Sequence, residues 1–412
     1  MKLPEAVQII LTTLEKAGFE AYVVGGSVRD WLMGKNPEDF DITTNALPKE
    51  IIALFPKTLD IGSKFGTIGV LTDDTVYEIT TFREDGEYLD YRRPQNVNFT
   101  NSLLNDLSRR DFTINAMAYN KNLTDPFGGQ KDIEAKLIRA VNDPLRRFKE
   151  DALRMLRCIR FSARLNFNIE KNTCDAIVNL APLIKKISPE RIQQELTGII
   201  LSDYPGRALP LVQTKLLYYI DKELYICLKP DFLQTLKLIA AAPEDLEIRL
   251  SVLLMNYDKT EIFLKNLKFS NQVQNMVKNL IKAYRANLLK EDTYALKKAY
   301  VELGDLSKSI EIEKIFGKDI SVIKALYTDF LNKKEPVLLR DLKITGNVLK
   351  AHGFTGKEIG NVLRELQDLV LRNPGMNTQE KLLNFVKNRR HLDKKRESGD
   401  TCGRGVGGAP QV

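Results

Sequence analysis

Between Ala21 and Asp41 the chain has little conformational freedom. Ala21–Val24 is a short apolar strand that runs into the turn Gly25-Gly26, and Ser27-Val28-Arg29-Asp30 then reads as a helix start. Asp39-Phe40-Asp41 follows nine residues after Asp30 and opens a second strand. In an extended segment residues i and i+2 share a face. Asp39 and Asp41 therefore project together, and Phe40 points into the core. Two carboxylates on a rigid strand make a hard, oxygen-rich site of the kind Mg²⁺ takes beside substrate phosphates. The glycines let backbone N–H groups approach a phosphate closely. Alone, Gly-Gly is a turn and Asp-x-Asp a solvated strand edge. Joined at this spacing, with Arg29 and Asp30 between them, they point to metal-assisted chemistry on a nucleoside triphosphate.

At 412 residues the chain is too long for one core and implies two to four domains. Lys plus Arg total 62 against 54 Asp plus Glu, a net charge of +8 that suits a polyanionic partner. The first residues, Met1-Lys2-Leu3-Pro4-Glu5, carry no secretory hydrophobic stretch, and no apolar run is long enough for a membrane span. Cys158, Cys174, Cys227 and Cys402 are scattered without a Cys-x-x-Cys pair, which argues against a zinc site or disulfide framework and for a reducing cytoplasm. With His352 and His391 the only histidines, no histidine-rich metal centre can be built.

The first 140 residues mix strands and helices. Pro48 opens a helix through Phe55, Gly66–Leu71 and Val76–Phe82 form a strand pair around Asp73-Asp74, and Thr113–Tyr119 returns to the core. Glu84–Pro94 is charged and tyrosine-rich and reads as a mobile loop. From Asp143-Pro144 onward the pattern is helical. Leu145, Phe148, Ala152, Leu156, Ile159 and Ala163 are spaced 3, 4, 4, 3 and 4 apart and predict one helix face. Ser188 should cap a helix that begins at Pro189. Leucine-rich helices continue to about residue 390 with no fixed repeat, and Lys394–Val412 is expected to lack structure.

Two further clusters carry chemistry. In Arg109-Arg110-Asp111-Phe112-Thr113-Ile114-Asn115, the arginines can neutralise a triphosphate and Asp111 can accept from a ribose hydroxyl. In Glu150-Asp151-Ala152-Leu153-Arg154, a carboxylate accepts from an exocyclic amine while a guanidinium donates to a ring nitrogen. Cytosine (N4–H₂ beside N3) and adenine (N6–H₂ beside N1) both fit this order; uracil and guanine reverse it. Buried mismatches cost about 1–3 kcal/mol per group, more if charged. An Asp151–Arg154 pair can thus select C and A without a template. Arg157 and Arg160 follow at three-residue steps, and on a continuous helix Arg160 lies nearly opposite Asp151.

The segments VVGGSVRDWLMGKNPEDFDITTNALP, IGSKFGTIGV, TTFREDGEYLDYRRP, LSRRDFTINAMAYN, DPFGG and RFKEDALRMLRCIRF together resemble the class II tRNA nucleotidyltransferases of the bacterial CCA-adding type, over roughly residues 20 to 165. The resemblance implies an α+β fold: a nucleotidyltransferase palm with a mixed sheet and helices in the head (1–141), then an all-α neck (142–205), body (206–330) and tail (331–393). It implies Asp39 and Asp41 as Mg²⁺ ligands, and Gly26, Arg29, Arg110, Asp151, Arg154, Arg157 and Arg160 as ATP- or CTP-binding positions. Gly25 and Asp111 join the nucleotide site on the residue reading. Glu78 is a candidate third carboxylate. The implied partners are the acceptor arm and 3′ end of tRNA, with ATP and CTP; no obligate protein partner is expected. Basic runs such as Lys185-Lys186 and Lys278–Arg285 are candidate RNA contacts. An intact Glu84–Pro94 loop favours addition of the terminal A. The alternatives are a poly(A) polymerase, an A-adding enzyme, and a silent RNA-binding protein.

Overall fold

The structure, a computed structural model, describes residues 1–72, 74–86 and 97–397. The chain divides into two compact units, residues 1–278 and 279–412. The first begins with helix α1 (Glu5–Lys16), strand β1 (Ala21–Val24), α2 (Gly26–Leu32), β2 (Asp41–Thr44) and α3 (Pro48–Leu54). Strands β3 (Thr58–Gly62), β4 (Thr67–Thr72) and β5 (Thr75–Thr81) follow, then β6 (Arg83–Asp85) and β7 (Val97–Phe99), α4 (Leu103–Ser108), β8 (Ala118–Asn120), β9 (Asn122–Thr124) and α5 (Gly129–Glu134). Seven strands form a mixed sheet in the order β3-β4-β5-β2-β1-β8-β9. β1 pairs antiparallel with both β2 and β8, while β2 and β5 run parallel.

The burial pattern explains why these segments form this sheet. Val23, Val24, Ile42, Ile68 and Ile79 are buried, as is Phe40 ahead of β2. β6 and β7 make a separate antiparallel ribbon. The expected mobile loop starts inside this ribbon, since Glu84 and Asp85 belong to β6; its residues 87–94 lie outside the described residues, as does Asp73 of the strand-pair turn.

Short strands β10 (Leu137–Ile138) and β11 (Asn168–Ile169) pair around helices α6 (Pro144–Glu150) and α7 (Leu153–Leu165). α8 (Lys171–Leu180) and α9 (Pro189–Ile200) come next, and the described residues beyond them form further helices and no strand. The single helix expected over 145–163 is broken. Asp151 is extended, at φ −137° and ψ 104°, and its Oδ1 accepts the Leu153 N–H at 3.0 Å. It thus caps α7 as it ends α6. Apolar periodicity runs through the break because Phe148, Leu156 and Ile159 are buried on both sides of it, whereas Leu145 is exposed. Ser188 occupies the N-cap of α9 without donating or accepting a side-chain cap bond.

The second unit is all helix among its described residues and has two hydrophobic clusters, one around Leu296, Tyr327 and Phe330, the other around Leu349, Leu366 and Leu382. Its last helix, Gln379–Glu397, continues four residues into the stretch expected to start a structureless tail at Lys394. Residues 398–412 lie outside the described residues.

Candidate active site

The antiparallel register of β1 and β2 sets Val24 opposite Asp41, so the turn after β1 sits beside the carboxylates before and at the start of β2. Gly25 has φ 76°, a region that L side chains rarely enter. A Cβ there would also stand 3.2 Å from Arg110 Nη1 and 3.7 Å from Asp41 Oδ2. Position 25 therefore needs glycine both for its backbone and for the space it leaves. Arg29, on α2, is buried and tethered on two sides: Nε donates to Asp30 Oδ1 at 2.9 Å and Nη1 to Asn115 Oδ1 at 2.7 Å. Asp39 and Asp41 face the adjoining cavity. Burial raises the Asp41 carboxyl above its ordinary value; Arg110 opposes this and the like charge of Asp39 adds to it.

Of the two arginines after α4, Arg109 is committed. Its Nε and Nη2 both donate to Oδ1 of the fully buried Asp106, at 3.0 and 2.8 Å. Arg110 is held more loosely, with Nη2 3.5 Å from Asp106 Oδ2, and its buried Nε–H has no hydrogen-bond partner. An orphaned donor on a buried cation costs free energy unless an acceptor arrives. Among these residues Arg110 is the one suited to an anionic ligand.

Asp111 lines the same cavity, but its acceptor sites are taken. Oδ1 accepts from Phe112 N and Asn115 Nδ2, and Oδ2 from Arg157 Nε and Nη2 at 2.9 and 2.7 Å. Burial alone would raise this carboxyl, but Arg157 and Arg154 outweigh it and bring it down to about 2. In this arrangement the Asp111 carboxylate holds Arg157 in place.

Helix α7 supplies a row of cations. With about 100° per residue, Arg154, Arg157, Arg160 and Arg164 occupy a sector of about 120°, and all four line the cavity. Because Asp151 stands outside the helix, the expected opposition between it and Arg160 does not arise. Phe161 lies under three guanidinium groups, 4.7 Å from Arg160 and 5.5 Å each from Arg29 and Arg157, and it packs edge-on to Phe112 at 5.7 Å. The negative ring face lets like charges converge. Arg154 is fixed by three acceptors, Glu150 Oε2 at 3.0 Å, the Arg147 carbonyl at 3.3 Å and the Arg109 carbonyl at 2.9 Å. Those bonds use three of its five N–H groups and leave two.

Every residue expected at the site lines one cavity of about 710 Å³: Gly25, Gly26, Arg29, Asp39, Asp41, Arg110, Asp111, Asp151, Arg154, Arg157 and Arg160. Glu78 is exposed on β5 and is not among the lining residues, and no third acidic, histidine or cysteine side chain joins a metal-sized cluster among the described residues. The pair Asp39 and Asp41 still fits a hard cation that completes its shell with water and substrate phosphate. Sequence reasoning missed Asp106, Asn115, Arg191 and Glu195. Asp106 had a signal, its place three and four residues before two arginines; Arg191 and Glu195 had none. Among the basic runs, Lys185 lies over the Tyr219 ring, Lys278 pairs with Glu261 and Lys282 with Glu302. No helix among the described residues is long and apolar enough to cross a membrane.

Three family models match the chain: the poly A polymerase head domain over residues 21–139, the RNA- and SrmB-binding site of polymerase A over 166–227, and tRNA nucleotidyltransferase domain 2 over 244–386. The chain is 38% identical to a CCA-adding enzyme of Lactobacillus helveticus over 391 residues, 90% of this chain and 94% of the relative. It is 37% identical to one of Enterococcus faecalis over 399 residues, 94% and 96% of the two chains. The crystal structure of the Bacillus stearothermophilus CCA-adding enzyme in complex with CTP superposes with a TM-score of 0.79 at 30% identity, covering 96% of this chain and all of that one.

Proposed function

This chain belongs to the CCA-adding enzymes of the tRNA nucleotidyltransferase family, and from that premise we propose that the polar cavity beside β1 and β2 performs the whole reaction, with Asp39 and Asp41 on the chemistry and Asp151 and Arg154 on the base. The enzyme adds C, C and A to the 3′ end of tRNA from CTP and ATP. The observation that carries the residue assignment is convergence: carboxylates, phosphate-side arginines and the base-reading pair line the same 710 Å³ cavity, a volume in the range that holds one ligand of this size.

In each cycle the terminal ribose hydroxyl attacks the α-phosphorus of the nucleotide. A P–O bond to the RNA forms, the bridge to the β-phosphate breaks, and pyrophosphate leaves. Enzymes of this family use divalent metal, and here Asp39 and Asp41 would hold Mg²⁺, which when bound lowers the pKa of the hydroxyl and screens the leaving charge. The chain's own groups do the positioning. The turn at Gly25 leaves room for phosphate beside Arg110 and Asp41. Arg110 brings a donor with no protein partner. Arg29, fixed by Asp30 and Asn115, and Arg157, fixed by Asp111, present cations whose orientation is already set. Preorganised charge of this kind supplies much of the acceleration in phosphoryl transfer.

Selection of the base falls to Asp151 as acceptor and to the two unclaimed N–H groups of Arg154. Cytosine and adenine match that order; uracil and guanine set lone pair against lone pair. The head, neck, body and tail division at 141, 205 and 330 completes the reading, with RNA gripped by shape and backbone charge along the helical part, and with the cytoplasm as the compartment. The test offers the protein a tRNA lacking its 3′ CCA, with Mg²⁺ and one nucleotide mixture at a time. CTP alone should add two residues, and CTP with ATP three and no more. Unlimited A addition, or addition of A only to a tRNA already ending in CC, would overturn it.

A further inference from the structure

The carboxylate assigned to base reading is not bare. Arg191 of α9 grips both of its oxygens, Nη1 to Oδ1 at 3.2 Å and Nη2 to Oδ2 at 2.7 Å. Both side chains are largely buried, 21% and 14% exposed, and both line the cavity. Oδ1 also receives the Leu153 N–H. A carboxylate has about four acceptor directions. These three bonds leave one, on Oδ2.

The same face of α9 continues the support. Glu195, one turn after Arg191, accepts from Arg160 Nε at 2.6 Å and stands 4.0 Å from Arg157 Nη1. Gly198, nearly one turn further, touches Arg160 directly: a Cβ there would lie 2.6 Å from Arg160 Cδ. Positions i, i+4 and i+7 of one helix thus back the reading face of another. Arg191 meets the group that tells an amine from a carbonyl; Glu195 meets the cations along the row.

We propose that Arg191 is a positioning residue for nucleotide choice: its two-pronged grip fixes the Asp151 carboxylate so that the single open acceptor direction meets the base edge. This rests on the assignment of Asp151 to base reading. The torsion that turns a carboxylate about its Cβ–Cγ bond is broad and soft, so a carboxylate held at one point only can rotate. A base amine donates into the fixed direction. A base carbonyl meets an oxygen that cannot turn away, and is repelled. Without the grip the carboxylate swings, the amine loses a set partner and the carbonyl loses its obstacle. Two parallel N–H···O bonds from a planar guanidinium fix that orientation; a lysine ammonium supplies charge at one point and does not.

The experiment measures kcat/KM for CTP and for UTP on a tRNA lacking CCA, with the Mg²⁺-loaded full chain, for wild type, R191Q, R191K, E195Q and D151N. R191Q should lower the CTP-over-UTP ratio on the order of tenfold, and R191K should lower it too despite keeping the charge. E195Q should weaken both nucleotides alike. A wild-type ratio in folded R191Q, with both rates reduced together, overturns the proposal and leaves Arg191 a brace between helices. If R191Q does not fold, R191K decides, and a wild-type ratio there has the same meaning. D151N separates the premise from the inference. An unchanged ratio in D151N refutes base reading by Asp151, whereas a collapsed ratio in D151N beside intact ratios in both Arg191 variants refutes only the role of Arg191.

Discussion

Replacing Asp39 and Asp41 together by asparagine should reduce nucleotide addition by on the order of a thousandfold or more, with the fold left intact. Asparagine keeps the volume and removes the charge that a hard cation needs. Both residues line the cavity, and Phe40 between them points into the core. The effect on stability should be neutral or favourable. Burial, with the Asp39 charge adding and Arg110 opposing, already holds the Asp41 carboxyl above its ordinary value. A carboxyl raised in this way favours the folded state less as pH rises through its folded value, so at neutral pH its charge costs stability that an amide does not. Single-turnover extension of labelled tRNA reads the first effect and thermal unfolding the second. Extension within tenfold of wild type, in a folded double variant, would remove these carboxylates from the mechanism.

The second large effect belongs to Asp151. An asparagine there offers N–H₂ where the base amine needs an acceptor, and the same N–H₂ can donate to a uracil carbonyl. The CTP rate should fall and the UTP rate rise, so that their ratio drops on the order of a hundredfold. The drop exceeds the one expected for Arg191 because Asp151 meets the base itself. Arg154 should keep its place, since its three acceptors are Glu150 and two main-chain carbonyls. Kinetics with each nucleotide separately measures the ratio. A uniform loss for CTP and UTP would mean that Asp151 shapes the cavity without reading the base.

Much of the site was legible because its parts are local. Glycine turn, carboxylate pair and cation row each sit within a few residues, and strand pairing only has to bring them together. β1 lies where its apolar run predicts, and the Val24–Asp41 register does the rest. What stayed hidden depends on contacts distant in sequence. The chain breaks at Asp151 because that side chain caps α7 and is gripped from α9, 40 residues on. Apolar spacing is blind to such a break when both helices bury the same face. Arg109 and Arg110 look equivalent in sequence, but buried Asp106 takes two short bonds from Arg109 and one long one from Arg110, whose Nε–H is left without a partner. The bonds that Asp111 accepts from Arg157 and Asn115 could not be read from its place in the sequence.

One cavity, read by protein side chains alone, should serve both nucleotides. The direct measurement is equilibrium binding of labelled CTP to the RNA-free protein with Mg²⁺, titrated against unlabelled ATP, UTP and GTP. ATP should displace CTP completely at a combined stoichiometry of one nucleotide per chain, while UTP and GTP compete far more weakly. Simultaneous binding of CTP and ATP, or equal displacement by all four nucleotides, would contradict a single site that selects C and A by itself.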